Sequence, residues 1–350
     1  MAASPIGVRV TTPRSNRSPV ILTPIRVRVT TLGPTGATIL TIRVLAIDGG
    51  GIRGVIPTMV LAELESRTGI ATSALFDLIA GTSIGGIITL GLATPAPDGT
   101  PAWTAREVIG MFERASHEIF VPAGHSVLHG VLHHRYASEY IEATLIRYLG
   151  NSKVSDALCD VLLTAYDLDA REPYFINSME IKAGLEHDVP MWVAGRATSA
   201  APTYFEPAQI LAPGSRVMLD GAVCANNPAM YAFAEVVKYK RSFEMMVVSL
   251  GTGSSTRPIA HHEVKDWGLA QWARPILHVV MDGASHVVDR QLREMLPAHA
   301  YWRLQVDLTR ASEAMDDASS ENLGDLMAEA ERLIKSSDRE LDGICAALAS

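Results

Sequence analysis

The fold-determining stretch is LFDLIAGTSIGGIITLGL, residues 75–92. Leu75–Ala80 is a short apolar run typical of a buried strand, and Ile84–Leu92 has the composition of an apolar helix. The turn between them contains Gly-x-Ser-x-Gly, with Ser83 at its centre. Such a serine needs glycine neighbours, because side chains flanking a sharp strand-to-helix turn would collide with the strand or the helix. The stretch predicts an α/β protein in which Ser83 is a candidate nucleophile.

A glycine cluster at Asp48–Gly54 lies between two predicted elements. It follows a β-branched run at Arg43–Ile47, typical of a buried strand, and precedes a helix predicted over Gly54–Thr68. The spacing Gly-x-Gly-x-x-Gly in this position is the dinucleotide-binding fingerprint, which requires an acidic residue about 20 positions further on to hold a ribose hydroxyl. Residues 70–75 contain no acidic residue, and Asp77 falls inside the next predicted strand. A non-catalytic nucleotide- or phosphate-binding protein is therefore the weaker alternative.

The same glycines are suited to an oxyanion hole, which is the interpretation we favour. Without Cβ atoms at Gly49, Gly50 and Gly51, backbone N–H groups can point into one concavity. The N-terminus of the following helix and the guanidinium of Arg53 add positive charge. Such a cradle stabilises the negative oxygen of a tetrahedral intermediate. The same cradle would also suit a phosphate, so the cluster by itself predicts a site for a negatively charged oxygen.

A base for Ser83 is the second requirement, because a serine hydroxyl is a poor nucleophile until its proton is removed. Asp220 ends a predicted strand and precedes Gly221, a context that can place its carboxylate directly against the serine. A Ser–Asp dyad of this kind needs no histidine. A Ser–His–Asp esterase remains the alternative, because the chain order serine, acid, histidine is also satisfied. The histidines that follow the aspartate are His261, His262, His278, His286 and His299.

Strands and helices alternate along the chain, which favours a mostly parallel sheet covered by helices on both faces. No linker-like stretch divides residues 43–340, so residues 43–350 are predicted to form one three-layer α/β/α domain. Residues 1–42 are rich in Ser, Thr, Pro and Arg and are predicted to be a poorly ordered N-terminal extension. Further strands are predicted at Asp160–Tyr166, Tyr174–Asn177, Val217–Leu219 and Met245–Leu250. Further helices are predicted at Ala137–Tyr148, Met191–Ser199, Ala229–Lys238 and residues 323–334.

Three motifs together resemble the signatures of the patatin-like phospholipases, in the same order. They are Asp-Gly-Gly-Gly-x-Arg-Gly at residues 48–54, Gly-x-Ser-x-Gly at residues 81–85 and Asp-Gly-Ala at residues 220–222. Ala197–Phe205 and Asn226–Pro228 are similar to the segments that precede and follow that family's catalytic aspartate. The resemblance extends over most of the chain but finds no counterpart for the N-terminal extension.

This resemblance implies a patatin-like fold and a lipid acyl hydrolase of phospholipase A type that uses neither a metal nor another cofactor. It implies that Ser83 forms the acyl-enzyme and that Asp220 is its general base. The oxyanion hole would be formed by Gly49, Gly50, Gly51 and Arg53. The substrate would be a membrane lipid or another acyl lipid, reached by transient contact at the membrane surface. An activating ligand, the oligomeric state and the head-group preference are not implied.

The charge distribution argues against nucleic acid as a partner for the body of the protein. The net charge of the whole chain is −8, and residues 1–47 contain six arginines and no acidic residue. Residues 48–350 therefore contain 24 basic and 38 acidic residues, a net charge of −14. Nucleic-acid binding needs the opposite sign. No apolar run approaches the roughly 18 residues that span a bilayer. Cys159, Cys224 and Cys345 show neither a disulfide framework nor zinc-ligand spacing, which favours a cytoplasmic location.

Two further patterns lie in the segment after the serine motif. His125, His129 and His133 recur every four residues, as metal ligands on one helical face do. Glycines interrupt that segment and no acidic residue completes the set, so a metal site is not predicted. A set of apolar residues in this segment suggests a lid or an acyl channel, with ordinary core packing as the alternative: Trp103, Phe112, Ile119, Phe120, Val121, Val127, Leu128, Val131 and Leu132.

Overall fold

The computed structural model describes residues 29–32, 38–123, 134–211, 214–239, 244–255, 258–272 and 275–349. Within these residues the central element is a nine-stranded sheet, formed by all strands except β9 and β11, which pair with each other. The strands are β1 (Val29–Leu32), β2 (Thr38–Ile47), β3 (Leu78–Thr82), β4 (Asp160–Asp167), β5 (Glu172–Asn177), β6 (Ala208–Ile210), β7 (Arg216–Asp220), β8 (Glu244–Leu250), β9 (Ser254–Ser255), β10 (Tyr301–Leu304) and β11 (Asp307–Leu308).

Helices cover both faces of this sheet. Two short 3₁₀ turns lie at Gly51–Gly54 and Val154–Asp156. The α-helices are α1 (Val55–Thr68), α2 (Thr72–Leu75), α3 (Ile84–Ala93), α4 (Ala105–Ile119), α5 (Ser138–Leu149), α6 (Ser178–Lys182), α7 (Met191–Thr198), α8 (Ala222–Ala225), α9 (Ala229–Tyr239), α10 (His261–Val264), α11 (Leu269–Trp272), α12 (Pro275–Met295), α13 (Ser320–Ser336) and α14 (Asp338–Ala349).

The register of the sheet places three functional segments side by side. Strands β10, β8, β2, β3 and β4 lie in this order and are parallel. Strands β7 and β6 continue the sheet beyond β4 in the antiparallel sense. Ile47 pairs with Gly81, Thr82 pairs with Thr164, and the next residue of β4, Ala165, pairs with Asp220. The loops that follow β2 and β3 therefore meet the carboxyl end of β7 at one edge of the sheet.

The central strands are apolar on both faces because each face is covered by helices. In β2, Leu45 and Ile47 belong to one core cluster, which includes residues of α1, α3, α4 and α13. Ile42, Val44 and Ala46 belong to a second cluster, which includes residues of α9 and α12. All five side chains are fully buried. The two clusters on opposite faces establish the predicted three-layer α/β/α arrangement with a mostly parallel sheet.

Most predicted elements are confirmed to within one or two residues, but the strand before Ser83 is shorter than predicted. The prediction of a strand over Leu75–Ala80 is wrong in its first three residues. The helix α2 ends at Leu75, and β3 begins at Leu78. Leu75 and Phe76 are buried core residues, so the apolar run contributes to the core, but Leu75 ends a helix and Phe76 lies between that helix and the strand. Apolarity alone does not distinguish these two conformations.

The N-terminal segment contributes backbone pairing to the central sheet. Strand β2 begins at Thr38, five residues before the predicted start of the strand at Arg43. Strand β1 pairs with it in the antiparallel sense. The division of the chain at residue 43 into an extension and a domain stays a prediction. In the part of the chain that the structure describes, no helix combines the length and the apolarity needed to cross a membrane.

Candidate active site

Ser83 lies at the turn between β3 and α3 in a backbone conformation that few non-glycine residues adopt. Its φ is 56° and its ψ is −122°. Strain of this kind persists only where the surrounding structure imposes it, and it is common at functional residues. The Ser83 residue also occupies the N-terminal cap position of α3, where the helix dipole stabilises developing negative charge. The turn therefore exposes the hydroxyl in a position suited to nucleophilic attack.

The glycines of this turn are required by close backbone approach. A Cβ atom at Gly81 would lie 2.3 Å from the carbonyl oxygen of Gly85, and one at Gly85 would lie 2.3 Å from that of Ile47. Both contacts are with backbone, which cannot move aside cheaply. Gly-x-Ser-x-Gly thus packs the start of α3 directly against β2 and β3, and it fixes Ser83 beside the loop that follows β2.

Thr198, the last residue of α7, holds the backbone of Ser83 in place by a hydrogen bond. Its hydroxyl accepts a 2.9 Å hydrogen bond from the backbone N–H of Ser83 and donates a 2.6 Å hydrogen bond to the carbonyl oxygen of Thr164. Beside it, Thr82 Oγ1 lies 2.8 Å from Thr164 Oγ1 and donates to the carbonyl of Ala225 at 2.7 Å. Thr198 is fully buried. These bonds connect the nucleophile turn to the segments before and after Asp220.

Replacing Thr198 by valine, which has a similar shape, should disturb the nucleophile rather than substrate binding. The change removes the acceptor of the Ser83 N–H and the hydroxyl bond to the Thr164 carbonyl in the interior, at a cost of about 1–3 kcal/mol in the free energy of unfolding. We expect kcat to fall by about 10–100-fold, because small displacements of a reacting atom are costly. Steady-state kinetics on a soluble ester measures this effect. KM should change little, and Thr198→Ser should restore kcat; a Thr198→Ser variant as impaired as the valine variant contradicts this role for the hydroxyl.

Asp220 is buried at the carboxyl end of β7 and faces Ser83. Its backbone N–H donates to the carbonyl of Ala200 at 3.0 Å, and its Oδ1 accepts the N–H of Ala222 at 2.8 Å. The residue is 2% exposed. Burial raises the pKa of the carboxyl to about 6, while the hydrogen bond with Ser83, the Ala222 N–H and the charge of Arg196 act in the opposite direction. A carboxylate with this pKa is ionised at neutral pH yet basic enough to accept a proton.

The glycine-rich loop after β2 offers two free backbone donors rather than three. The N–H of Gly49 already donates to the carbonyl of Asn226 at 3.1 Å. Gly50 and Gly51 donate no backbone hydrogen bond to any of the described residues. Gly51 lines the same pocket as Ser83 and Asp220. Its φ is +59°, and a Cβ atom there would lie 2.1 Å from the carbonyl oxygen of Met315, so only glycine fits.

A buried ion pair fixes the start of this loop. Arg303, on β10, binds Asp48 through two parallel hydrogen bonds of 2.9 and 2.6 Å. The same guanidinium donates to Ser249 Oγ at 2.9 Å. Thr252 Oγ1 donates to the carbonyl of Gly49 at 2.7 Å. Bidentate pairing restricts the geometry as well as the distance, so the orientation of the loop is set by strands that lie far away in the sequence.

Arg53 supports the glycine-rich loop by a hydrogen bond to its backbone and is not among the residues that line the pocket. Its side chain is buried, and its Nε donates to the carbonyl of Gly50 at 3.3 Å. Burial lowers the pKa of the guanidinium, whereas the charges of Asp282 and Glu313 raise it. The cation therefore orients Gly50 and adds positive potential near the free N–H groups, without facing Ser83.

The pocket that contains Ser83 and Asp220 is apolar along almost its whole length. Its walls include Trp103, Phe112, Ile119 and Phe120, which belong to the segment predicted as a lid or an acyl channel. For these residues the channel interpretation is supported because they line the pocket, and Phe112 also belongs to the core cluster that the pocket adjoins. The remaining residues of that prediction, Val121 apart, together with His125, His129 and His133, lie outside the described residues.

The histidines proposed for a triad do not meet the serine. His261, His262, His286 and His299 are exposed. His278 is half-buried and lines a second, polar pocket with Arg135 and Asp316. Each of the five belongs to the described part of the chain, and none lines the pocket of Ser83 and Asp220. The positions of these five histidines therefore give no support to a Ser–His–Asp triad, whereas Asp220 shares the pocket with Ser83.

Fold and pocket together define an α/β protein of three layers, in which a serine turn, an aspartate and a glycine-rich loop converge on an apolar cavity. A family model described as patatin-like phospholipase matches residues 45–233, more than half of the chain. The chain belongs to the patatin-like phospholipase family.

Plant proteins are among its relatives. Patatin-like protein 2 of Arabidopsis thaliana is 31% identical over 345 residues, covering 86% of this chain and 84% of that protein. Patatin-17 of Solanum cardiophyllum is 29% identical over 331 residues, covering 84% of each chain. "Probable inactive patatin-3-Kuras 1" of Solanum tuberosum is 29% identical over 335 residues, covering 85% of this chain and 88% of that protein. The family supports a lipid acyl hydrolase in general, and since one relative is named inactive, activity must be argued from the residues of this chain.

Proposed function

We propose that the protein hydrolyses fatty-acyl esters of lipids through a dyad of Ser83 and Asp220. The observation that carries this proposal is the shared pocket: the serine, a buried aspartate and a glycine with a free N–H all line one apolar cavity. An apolar cavity beside a nucleophile suits an ester whose acyl part is a hydrocarbon chain. The raised pKa of Asp220 suits a general base.

The first half of the reaction forms an acyl-enzyme. Asp220 accepts the proton of the Ser83 hydroxyl as Oγ attacks the ester carbonyl carbon. The carbonyl oxygen becomes an oxyanion, which the N–H groups of Gly50 and Gly51 stabilise. When the tetrahedral intermediate collapses, the bond to the leaving alcohol breaks, and protonated Asp220 returns the proton to that alcohol.

The second half releases the fatty acid. Asp220 accepts a proton from water as the water oxygen attacks the acyl-enzyme carbonyl. The second oxyanion occupies the same cradle. Collapse breaks the bond to Ser83 Oγ, and the proton returns from Asp220 to the serine. The cycle consumes one ester and one water and yields one alcohol and one fatty acid.

The substrate we propose is a glycerophospholipid or a related acyl lipid, cleaved in the manner of a phospholipase A during transient contact with a lipid surface. The proposed location is the cytoplasm. The substrate proposal rests on the family and on the apolar pocket, because a soluble short-chain ester would leave most of that pocket unfilled, whereas the location rests on the cysteine pattern.

The test of this function is fatty-acid release from phosphatidylcholine vesicles. Wild-type protein and Ser83→Ala are incubated with vesicles, and free fatty acids are measured by mass spectrometry. The proposal predicts release by the wild type only. Equal release by both proteins would assign the activity to another residue or a contaminant, and no release from any acyl lipid would leave a binding protein as the better account.

A further inference from the structure

The apolar pocket is built from facing stripes on three helices, and it begins at the nucleophile. Helix α3 starts directly after Ser83 and contributes Ile84, Ile87, Ile88 and Gly91. This spacing keeps all four on one helical face. The stripe therefore leads away from the nucleophile along the axis of α3, and its last member, Gly91, has no side chain.

The other two helices complete the wall. Helix α4 contributes residues spaced by three and four: Val108, Met111, Phe112, Ala115, Ser116 and Ile119. Helix α5 contributes a second such series: Ile141, Thr144, Leu145, Tyr148 and Leu149. Apart from the hydroxyls of Ser116, Thr144 and Tyr148, these helical faces are apolar, so the wall suits a hydrocarbon and offers little to a polar chain.

The helices run side by side, which defines the two ends of the pocket. A Cβ atom at Gly54, beside the glycine-rich loop, would lie 2.6 Å from Ile84 and 3.1 Å from Phe112. A Cβ atom at Gly91 would lie 3.9 Å from Val108. The Phe112 end therefore lies at the nucleophile, and the Val108 end lies at the level of Gly91.

Two aromatic residues close the far end. Trp103 Nε1 donates to the carbonyl of Tyr148 at 3.0 Å, and their rings are in a T-shaped contact with centroids 5.8 Å apart. The backbone N–H of Ala102 donates to the carbonyl of Thr94 at 2.9 Å, which holds Trp103 at the carboxyl end of α3. Both aromatic residues line the pocket. They form a floor that a straight chain meets after passing Gly91.

We propose that this pocket selects substrates by the length of the acyl chain. Gly91 leaves room for the distal part of the chain, and the floor formed by Trp103 and Tyr148 limits how long the chain can be. The inference rests on the proposed function and names its substrate as a lipid with medium to long, straight acyl chains. A helix rises about 1.5 Å per residue, so the wall from Ser83 to Gly91 is about 12 Å long. An extended alkyl chain with bonds of about 1.5 Å advances about 1.3 Å per carbon, so about ten carbons fit.

Gly91→Leu is the direct test, because it fills the distal part of the pocket without touching the reacting groups. Gly91 has no positive φ, and its Cβ position has only ordinary contacts, so a side chain fits the helix. Leucine also favours the helical conformation more than glycine does. The matched control is Gly343→Leu on α14, where the added side chain meets open space.

The assay compares p-nitrophenyl butyrate with p-nitrophenyl laurate for each protein. The wild type should prefer the laurate ester. In Gly91→Leu, kcat/KM should fall by at least about tenfold for laurate and by less than about twofold for butyrate, since misfit of apolar groups in a pocket costs factors of this size. Gly343→Leu should match the wild type with both esters. A second variant, Trp103→Ala, should raise the ratio of palmitate to laurate hydrolysis by removing part of the floor.

Each outcome has a defined meaning. An active Gly91→Leu enzyme with the wild-type chain-length profile would overturn the proposal that the pocket sets the acyl-chain length, and it would leave the proposed dyad untouched. If Gly91→Leu loses activity on both esters but keeps wild-type thermal stability, the proposal is also overturned, because the substitution then affects the reacting groups. If Gly91→Leu is unstable, the Trp103→Ala profile decides alone, and an unchanged ratio rejects the floor. Wild-type protein inactive on every ester, with Ser83 unreactive to a fluorophosphonate, is instead a failure of the proposed function.

Discussion

Ser83→Ala is expected to lower kcat/KM for acyl lipid by at least about 10⁴-fold, as removal of a nucleophile does in other serine hydrolases. The remaining site could still bind the ester and polarise its carbonyl, but no acyl-enzyme would form. The substitution removes one oxygen from a half-buried side chain and leaves the Thr198 bond to the residue 83 N–H in place. Thermal stability should therefore stay close to that of the wild type. Vesicle hydrolysis and thermal unfolding of the purified variant measure the two quantities.

Ser199→Ala is the matched control for this prediction. Ser199 lines the same pocket, but its hydroxyl already donates to the carbonyl of Gly195 at 2.7 Å. Its removal should leave kcat/KM within about threefold of wild type, the range of a change that touches no reacting group. A large loss of activity in Ser199→Ala, combined with residual activity in Ser83→Ala, would indicate that Ser199 rather than Ser83 is the nucleophile.

Asp220→Asn is expected to lower kcat by about 10³–10⁴-fold, because asparagine cannot accept the proton of Ser83. Its Oδ1 can still accept the N–H of Ala222, so the backbone at the end of β7 should be retained. The variant should be at least as stable as the wild type at pH 8. Burial raises the pKa of Asp220 because it disfavours the charged form, and asparagine has no charged form. A fully active Asp220→Asn enzyme would reject the dyad.

The pH dependence of the wild type follows from the same residue. A base acts only when deprotonated, so activity should be constant well above the pKa of about 6 and should fall as the pH drops below it. The slope should approach about tenfold per pH unit, as expected for a single ionisation. A pH–rate profile on a soluble ester measures this dependence. As a control, protein exposed to low pH is returned to pH 8, where full recovery of activity indicates reversible protonation rather than irreversible unfolding.

The parts of the site that sequence predicted are those encoded by short local patterns. Ser83 required a strand, a glycine turn and a helix in succession, and all three lie within twenty residues. Asp220 was predicted from its strand end and the glycine after it. The three-layer arrangement followed from the alternation of elements. Each of these depends on backbone geometry that neighbouring residues determine, so a single sequence is sufficient to indicate it.

The residues that hold these groups were missed because they come from distant strands and helices. Arg303 binds Asp48 across 255 positions of sequence, and Thr198 binds the Ser83 N–H across 115. No local pattern marks Arg303, and although Thr198 lies in the Ala197–Phe205 segment, that resemblance gave its hydroxyl no role. The glycine cluster could not show that the Gly49 N–H is used by Asn226 or that Arg53 lies behind the loop. The first of these facts depends on how the segment after Asp220 packs against the loop.

One missed element did carry a local signal. Helix α4, which forms a wall of the pocket, was interpreted only as an apolar segment. Thr104 and Glu107 form a capping box at its start: the Glu107 N–H donates to the Thr104 hydroxyl at 3.2 Å, and the Glu107 carboxylate accepts the Thr104 N–H at 2.8 Å. Threonine followed three residues later by glutamate is a recognised signal for a helix start. Using it would have placed the apolar residues on one face of a helix.

The most direct measurement of the central claim is the rate at which a fluorophosphonate labels Ser83, followed by peptide mass spectrometry from pH 5 to pH 8. Such a probe reacts with a serine only when a base activates it. The account predicts label on Ser83, a rate that rises through a pH of about 6 with the ionisation of Asp220, and almost no label in Asp220→Asn. Label on a different residue, or labelling of Ser83 in Asp220→Asn at the wild-type rate, would contradict it.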